Sequence, residues 1–390
     1  MQATFLFDTF LLKKSDDYYA MTLTNDFFKR RYLKYYDKII VCTRVKEMSS
    51  EKGNYDGYKI VNGENVEVRP ISLYSKISDS FIRRKKIKEQ IWENIKNSDV
   101  AIIRLPSMIG ILACDICREK KKNYIIEMVA CAWDGYINHH NKFGKIIAPY
   151  MFLETRRVVK KAPKVLYVTN DFLQKRYPTQ GKSYACSDVE IENIDNNVLK
   201  DRIKKIENMN KDGTIKLCTV ANVGLKYKGQ EYVIKALKNL KKEGKKNYMY
   251  YLVGNGDNSY LKNMVQKYGL DDEVEFVGSL PHKNVFDFLK NNVDIYIQPS
   301  LQEGLPRSLI EAMSLGIPSF ASNAGGNTEL VEENYIFNKK DYRKIASLLE
   351  NIKTDKLKDM ADYNIKKTAV YKNTSNEDIR KSFYKIENGD

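Results

Sequence analysis

Two carboxylates, Glu303 and Glu311, stand with seven residues between them in the stretch Pro299-Ser300-Leu301-Gln302-Glu303-Gly304-Leu305-Pro306-Arg307-Ser308-Leu309-Ile310-Glu311. Upstream, Val293-Asp294-Ile295-Tyr296-Ile297 is short and largely β-branched, and reads as a buried parallel strand. Downstream, Pro306 suits the first position of a helix, where a missing N–H leaves nothing unsatisfied. A strand, a tight turn and a helix N-terminus bring free backbone amides and the positive end of the helix dipole to one spot, which makes an anion site. Glu303 falls in the turn, and Glu311 falls roughly a turn and a half into the helix, leaning back toward its start. Carboxylates repel phosphate, so their better use is to accept hydrogen bonds from hydroxyls beside it. A diphosphate flanked by two sugars, as in a nucleotide-sugar, fits that pattern. The alternative is a solvated stripe of Arg307, Ser308, Glu311 and Ser314, with Glu303 an ordinary loop carboxylate.

A second unit of the same kind follows. Gly316-Ile317-Pro318-Ser319-Phe320-Ala321 reads as a strand, and Asn323-Ala324-Gly325-Gly326-Asn327 opens a helix near Glu329. Successive strand–loop–helix units place their loops on one carboxyl edge of a sheet, where open α/β folds bind ligands.

With those residues in view, the sequence resembles the retaining glycosyltransferases of family 4, whose GT-B fold pairs two Rossmann-like, doubly wound α/β domains across a central cleft. The matching signature is Glu303-Gly304, then Glu311-Ala312-Met313-Ser314-Leu315-Gly316-Ile317-Pro318, then Gly325-Gly326 and Glu329. Ahead of it, in the same order as in the family, come Lys228-Gly229, Leu252-Val253-Gly254-Asn255-Gly256 and Val274-Glu275-Phe276-Val277-Gly278. The likeness is strong over residues 214–335. It is fainter in the first half, where Arg104-Leu105-Pro106-Ser107 and Tyr167-Val168-Thr169-Asn170 to Gln174-Lys175-Arg176-Tyr177-Pro178 look like transferases of capsule, O-antigen and exopolysaccharide assembly.

The resemblance implies roles residue by residue. Glu311 is expected on the ribose hydroxyls, and Glu303 at the transferred sugar and its phosphates. The amides of Gly304 and Leu305 are expected at the diphosphate, with Gly254, Gly256 and Gly278 in the donor-binding loops. Lys228 corresponds to the lysine that neutralises the leaving diphosphate in the transition state. The chain departs from the commoner Glu-Gly-Phe-Gly, since Pro306 has no amide to donate. Asn222 stands where many members carry arginine, and Lys226 or Arg307 is the expected compensation. No metal or other cofactor is implied, and the sequence lacks an Asp-x-Asp pair.

The first half is expected to hold the acceptor. Trp133-Asp134-Gly135 follows a strand ending near Cys131, and Asp134 is read as holding an acceptor or donor hydroxyl or acting as base. Arg104, after the strand Val100–Ile103, is placed to meet an acceptor phosphate. His139, with its neighbour His140, matches a histidine that members often carry near the donor sugar; a surface loop explains the pair equally well. Asp16, Asp17, Tyr18 and Tyr19 read as a polar, aromatic loop where relatives have glycine.

Composition bounds these readings. The 390 residues and 43% hydrophobic content suit two domains with real cores. Expected strands at Ala3–Phe7, Lys38–Cys42, Val100–Ile103, Tyr124–Val129 and Val165–Val168, then at 215–221, 249–253, 274–277, 293–297 and 317–321, alternate with helical stretches. The polar segment Leu199–Gly213 sets the expected boundary, giving domains 1–213 and 214–370. A last helix over 371–390 is expected, from the resemblance, to cross back onto the first domain. Six scattered cysteines imply reduced thiols, with Cys114 and Cys117 two buried residues on a helix. The start of the chain has no cationic leader pattern, and no apolar run is long enough to span a bilayer.

Charge is lopsided: residues 1–213 carry 39 Lys/Arg against 27 Asp/Glu, and residues 214–390 carry 27 against 23. The clusters Lys29-Arg30-Arg31, Arg83-Arg84-Lys85-Lys86, Lys120-Lys121-Lys122 and Arg156-Arg157 with Lys160-Lys161 are solvated helix faces or a polyanion-binding surface. No base-reading motif points to nucleic acid. An anionic membrane leaflet fits better, and Ile146–Val159, with Ile147, Tyr150, Met151, Phe152 and Val158, is either an interfacial helix or a buried one. The combined expectation is a cytoplasmic, peripherally membrane-bound retaining glycosyltransferase, on the inner face of the cell membrane. It would use a UDP- or GDP-type nucleotide-sugar and a lipid-linked or growing surface-polysaccharide acceptor. The alternatives are another GT-B activity (nucleotide-sugar epimerase or phosphorylase) or an inactive member serving as a binding partner in polysaccharide assembly.

Overall fold

The computed structural model describes residues 1–48, 55, 57–71, 84–138, 142–189, 191, 195, 197–209, 213–244, 247–371 and 373–385. They fall into two compact units, one from residues 1–137, 141–186 and 378–390, the other from 138–140 and 187–377. Both are α/β.

In the first unit the strands are β1 (Gln2–Lys14), β2 (Asp17–Ala20), β3 (Lys38–Glu47), β4 (Lys59–Ile60), β5 (Val66–Ile71), β6 (Val100–Leu105), β7 (Tyr124–Met128), β8 (Lys164–Tyr167) and β9 (Lys182–Ala185). Their parallel part runs β5-β3-β1-β6-β7-β8-β9. Ile39-Ile40-Val41-Cys42 and Ala101-Ile102-Ile103 are fully buried, as continuous apolar strands must be when helices cover both faces of a sheet. All six cysteines are free and buried, Cys114 and Cys117 on the helix Met108–Glu119.

Three expectations change here. Asp17, Tyr18 and Tyr19 are not a loop: β2 returns antiparallel along the far end of β1, pairing Leu12 with Tyr19 and Lys13 with Tyr18, and only Ser15-Asp16 form the turn. The short strands β4, β5 and β9 went unseen in the sequence; β4 and β9 are half or more exposed and lack an apolar run.

The third change is the domain boundary, which lies after Cys186 rather than at Gly213. Arg202, on the helix Val198–Asn208, is only 3% exposed and donates to the carbonyls of Val293 (2.7 Å), Leu315 (3.3 Å) and Lys290 (3.4 Å). Lys205 beside it reaches the carbonyls of Asn291 and Val293 at 2.8 and 3.0 Å. The Lys290, Asn291 and Val293 carbonyls end the helix His282–Asn292, and Leu315 ends the helix Arg307–Ser314; last carbonyls of this kind have no partner inside their helix. A charged segment that reads as the domain boundary thus caps a helix of the second unit. The chain also stays with that unit through Glu377, and residues from 378 onward return to the first. There Tyr384, nearly fully buried, donates its hydroxyl to Glu127 Oε1 at 2.5 Å, and Tyr36 donates to the Tyr384 carbonyl at 2.9 Å.

The second unit carries one parallel sheet, β12-β11-β10-β13-β14-β15, built from β10 (Thr214–Val220), β11 (Asn247–Val253), β12 (Val274–Gly278), β13 (Ile295–Gln298), β14 (Ser319–Ser322) and β15 (Ile336–Phe337). The order reverses between β10 and its two neighbours: β11 lies on one side and β13 on the other. Loops leaving β10 and β13 therefore diverge at the carboxyl edge and leave a crevice between them.

Candidate donor-binding site

That crevice is a cleft of about 380 Å³, whose lining includes Lys228, Gln298, Glu303, Arg307, Glu311 and His282. Each polar side chain is set by an identifiable element. The helix Arg307–Ser314 follows Glu303 by one short turn. Eight residues make a marginal helix in isolation, so its stability comes from Leu309, Ile310 and Met313, all fully buried, each worth about 1.5–3 kcal/mol in transfer terms. Pro306 is the N-cap rather than the first helical residue: its backbone is extended and its carbonyl accepts the first helical bond, from Ile310 N. Pro306 has no capping side chain to offer, and Leu305, Pro306 and Ser308 at this helix start form part of the cleft wall.

Lys228 comes from the opposite side, at the end of the short 3-10 turn Lys226–Lys228 after β10. Its Nζ lies 2.7 Å from Glu303 Oε1. Burial works against the lysine charge, but the carboxylate at this range outweighs it and holds the ammonium above its ordinary range. The loop is seated by Gly229, which has φ +75° and whose missing Cβ would fall 2.0 Å from the Pro299 carbonyl oxygen. Gly325 does the same at the other loop: at φ +54°, a Cβ there would sit 2.0 Å from the Glu303 carbonyl oxygen. Gly326 N–H then donates to Gly304 O at 2.7 Å. The glycine pair thus lets two loops close on the backbone that carries Glu303.

The Glu303 carboxylate has a second tether. Buried Gln298 donates from Nε2 to Glu303 Oε1 (2.9 Å) and to Ser300 Oγ (3.0 Å), and its Oε1 accepts from the Tyr296 hydroxyl (2.9 Å). Burial keeps Tyr296 a neutral phenol and hence a donor. Neither Gln298 nor Tyr296 was singled out in the sequence; the signal was a polar residue ending a buried strand just before Pro299-Ser300. In the same cleft, His282 Nε2 lies 3.0 Å from Glu311 Oε1. Sequence reasoning passed over this third histidine, although Pro281-His282 follows β12 onto the same edge.

Other expected residues have different surroundings. The Asn222 amide is used internally: Oδ1 accepts from Gly224 N–H (2.9 Å) and Nδ2 donates to Asn255 Oδ1 (3.0 Å). Gly254 closes against the Ala221 carbonyl, Gly256 against Asn222, and Gly278 O accepts from Gly254 N–H. They tie the loops of β10, β11 and β12 together behind the cleft rather than line it. Lys226 lies over the Tyr260 ring at 5.2 Å, whereas Arg307 does line the cleft.

In the first unit, Arg104 is 8% exposed and its guanidinium Nε lies 3.4 Å from Glu127 Oε2. Its partner is a buried carboxylate that β7 delivers beside the end of β6. Asp134 is 5% exposed on the helix Ala132–Ile137. Trp133 packs edge-on against Phe152 at 6.2 Å, and Tyr177 OH accepts its backbone N–H. His139 and His140 lie outside the described residues.

A parallel sheet with a switch-point cleft, in a chain of two α/β units, is the architecture of the GT-B proteins. The solved structure of Anabaena HepE in complex with UDP-glucose matches with a TM-score of 0.60 over 98% of this chain and 99% of that one, at 16% identity, a level that speaks for the fold. Residues 200–368 match the family described as Glycosyl transferases group 1. Protein CapJ of Staphylococcus aureus is 33% identical over 388 residues, covering 95% of this chain and 93% of the relative. The putative colanic acid biosynthesis glycosyltransferase WcaL of Escherichia coli is 32% identical over 143 residues, 33% of this chain and 35% of that one. The chain belongs to the group 1 glycosyltransferases.

Proposed function

We propose that this protein transfers a sugar, with retention of anomeric configuration, from a UDP- or GDP-type nucleotide-sugar to a lipid-linked or growing surface-polysaccharide acceptor. The observation that carries the reading is the polarity of the cleft. Lys228 with Glu303 and His282 with Glu311 all line it, and the start of the helix Arg307–Ser314 lies in its wall. A diphosphate beside Lys228 and the first-turn amides meets positive charge and free donors. A ribose diol reaches Glu311, and the transferred sugar reaches Glu303. As the glycosidic bond breaks, the growing charge on the diphosphate is countered by Lys228, and the leaving phosphate takes the acceptor proton on the same face. The UDP-glucose of the HepE structure and the polysaccharide named for WcaL support this substrate class. No metal is needed in this scheme.

The same reading places the protein on an anionic membrane surface. No helix of the described residues is long and apolar enough to cross a membrane. On the helix Lys142–Lys160, the apolar residues expected to face lipid are turned inward: Ile147 is 8% exposed, and Met151 and Val158 are fully buried. Ile146 and Leu153, two turns apart on one face, are 73% and 62% exposed. Lys145, Arg156, Lys160 and Lys161 are exposed beside them. Arg157 is not part of this face, since it grips Asp115 through two bonds of 2.8 and 2.9 Å.

The test is a panel of nucleotide-sugars assayed for slow hydrolysis to the nucleoside diphosphate without added metal, followed by transfer to a lipid-linked acceptor with NMR of the new anomeric centre. Absence of hydrolysis and transfer across the panel would defeat the proposal.

A further inference from the structure

We infer that His282 is a positioning residue of the donor site, which sets Glu311 to select a ribose bearing both of its hydroxyls. The inference rests on the reading of this cleft as a nucleotide site. His282 Nε2 lies 3.0 Å from Glu311 Oε1, and the two residues come from different helices, His282–Asn292 and Arg307–Ser314. Glu311 is 5% exposed, while the histidine side chain is 58% exposed and open to the cleft. Phe286, one turn further along the helix, meets the imidazole edge-on at 5.4 Å and restricts its rotation.

A carboxylate offers about four acceptor positions on two oxygens. Held through Oε1 by an imidazole that has Phe286 against one side, the Glu311 carboxylate is set in plane and keeps most of those positions for a ligand. Two vicinal hydroxyls need such a fixed plane, because both must find an acceptor in one geometry, whereas a single hydroxyl can follow a rotating carboxylate. Val220, Leu280 and Val285 line the same part of the cleft and provide an apolar wall but no further anchor for Glu311. The selection between ribose and deoxyribose is therefore assigned to the His282–Glu311 pair.

The experiment measures binding of UDP, GDP and their 2′-deoxy counterparts to the full chain by calorimetry. The wild type is expected to prefer the better ribonucleotide over its deoxy form about tenfold, the value of one hydrogen bond to a charged group. His282→Ala is expected to bring this ratio below about threefold, with the larger loss of affinity falling on the ribonucleotide. His282→Gln, whose amide reaches the same oxygen, restores most of the ratio. Melting temperature is read alongside, and an exposed histidine leaves it nearly unmoved. An unchanged ratio in His282→Ala, an equal loss for both sugars, or no rescue by glutamine overturns the assignment while the donor reading stands. If neither ribonucleotide binds the wild type, the donor reading itself falls and this inference with it.

Discussion

Lys228 Nζ and Glu303 Oε1 lie 2.7 Å apart although the residues are 75 positions apart in the sequence, one in the loop after β10 and the other in the loop after its sheet neighbour β13. The pair is screened from water: the lysine side chain is 22% exposed and the glutamate 9%. A cation so placed is already oriented when a diphosphate arrives, and its partner keeps it ordered beforehand. Preorganised charge of this kind stabilises a developing anion without a reorganisation cost.

A nucleoside diphosphate of the correct base is expected to stabilise the protein against heat with no metal added. At one hundred times Kd the gain is about 2.7 kcal/mol. A thermal-shift panel of UDP, GDP and ADP, run with and without EDTA, checks it; a shift that vanishes with the chelator contradicts the metal-free scheme.

The two glutamates are expected to separate in kinetics. Glu311→Ala weakens nucleotide binding by about 1–3 kcal/mol through lost hydrogen bonds to the ribose, with turnover less affected. Glu303→Ala lowers turnover more than affinity and leaves Lys228 without its partner. Steady-state kinetics with the active donor decide, and two variants of wild-type activity would remove both residues from the site.

Gln298→Leu is expected to cost about 1–3 kcal/mol of stability, because Tyr296 and Ser300 are left buried with a hydrogen-bonding group unmatched. Turnover should fall further than Kd for the nucleotide, since Glu303 loses one of two tethers. Urea unfolding and donor kinetics on the same preparation separate the two effects.

Lys205 is expected to titrate near pH 8. Burial, with repulsion from Arg202, lowers its pKa to about 8, against the opposing pull of Asp294. The sign follows: the fold favours the neutral amine, so this contribution to stability is complete above about pH 10.5 and is lost as pH falls through about 8. NMR titration of the lysine side-chain shifts from pH 7 to 11 should show Lys205 losing its proton well before the exposed lysines. A profile that matches theirs rules out the shift.

Anionic vesicles are expected to bind the protein through the helix Lys142–Lys160. Changing Arg156, Lys160 and Lys161 to glutamate should release it, and Ile146→Ser with Leu153→Ser should weaken the salt-resistant part. Exposed charges act over about 10 Å at 0.1 M salt and about 3 Å at 1 M, so the electrostatic part fades across that range. Co-sedimentation with anionic and neutral vesicles reads both parts. Equal binding to the two vesicle types, or none at low salt, defeats the assignment.

Much of the donor site was legible in the chain because its chemistry is local. Glu303, Gly304 and Glu311 sit on one strand–turn–helix unit, and the β-branched and apolar runs at Val293–Ile297 and Ile317–Ala321 are buried on both faces and so stand out by composition alone. Lys228, Gly229 and the Gly325-Gly326 pair were recognisable through the family resemblance, and Gly229 and Gly325 each admit a close backbone approach that no other residue fits. What depended on tertiary structure was every pairing across distant segments. Lys228 with Glu303, Gln298 with Glu303 and His282 with Glu311 each join residues that no periodicity connects, and a buried polar side chain declares its partner only once the sheet has set the distance. The same holds elsewhere. Arg104 was read toward an acceptor phosphate, and the Glu127 that β7 brings beside it is known only from the sheet. The charged stretch around Arg202 read as the domain boundary until the carbonyl ends of other helices supplied its partners. The inward and outward faces of the helix Lys142–Lys160 were likewise set by what packs against it, because apolar residues lie on both sides and only contact decides which are covered.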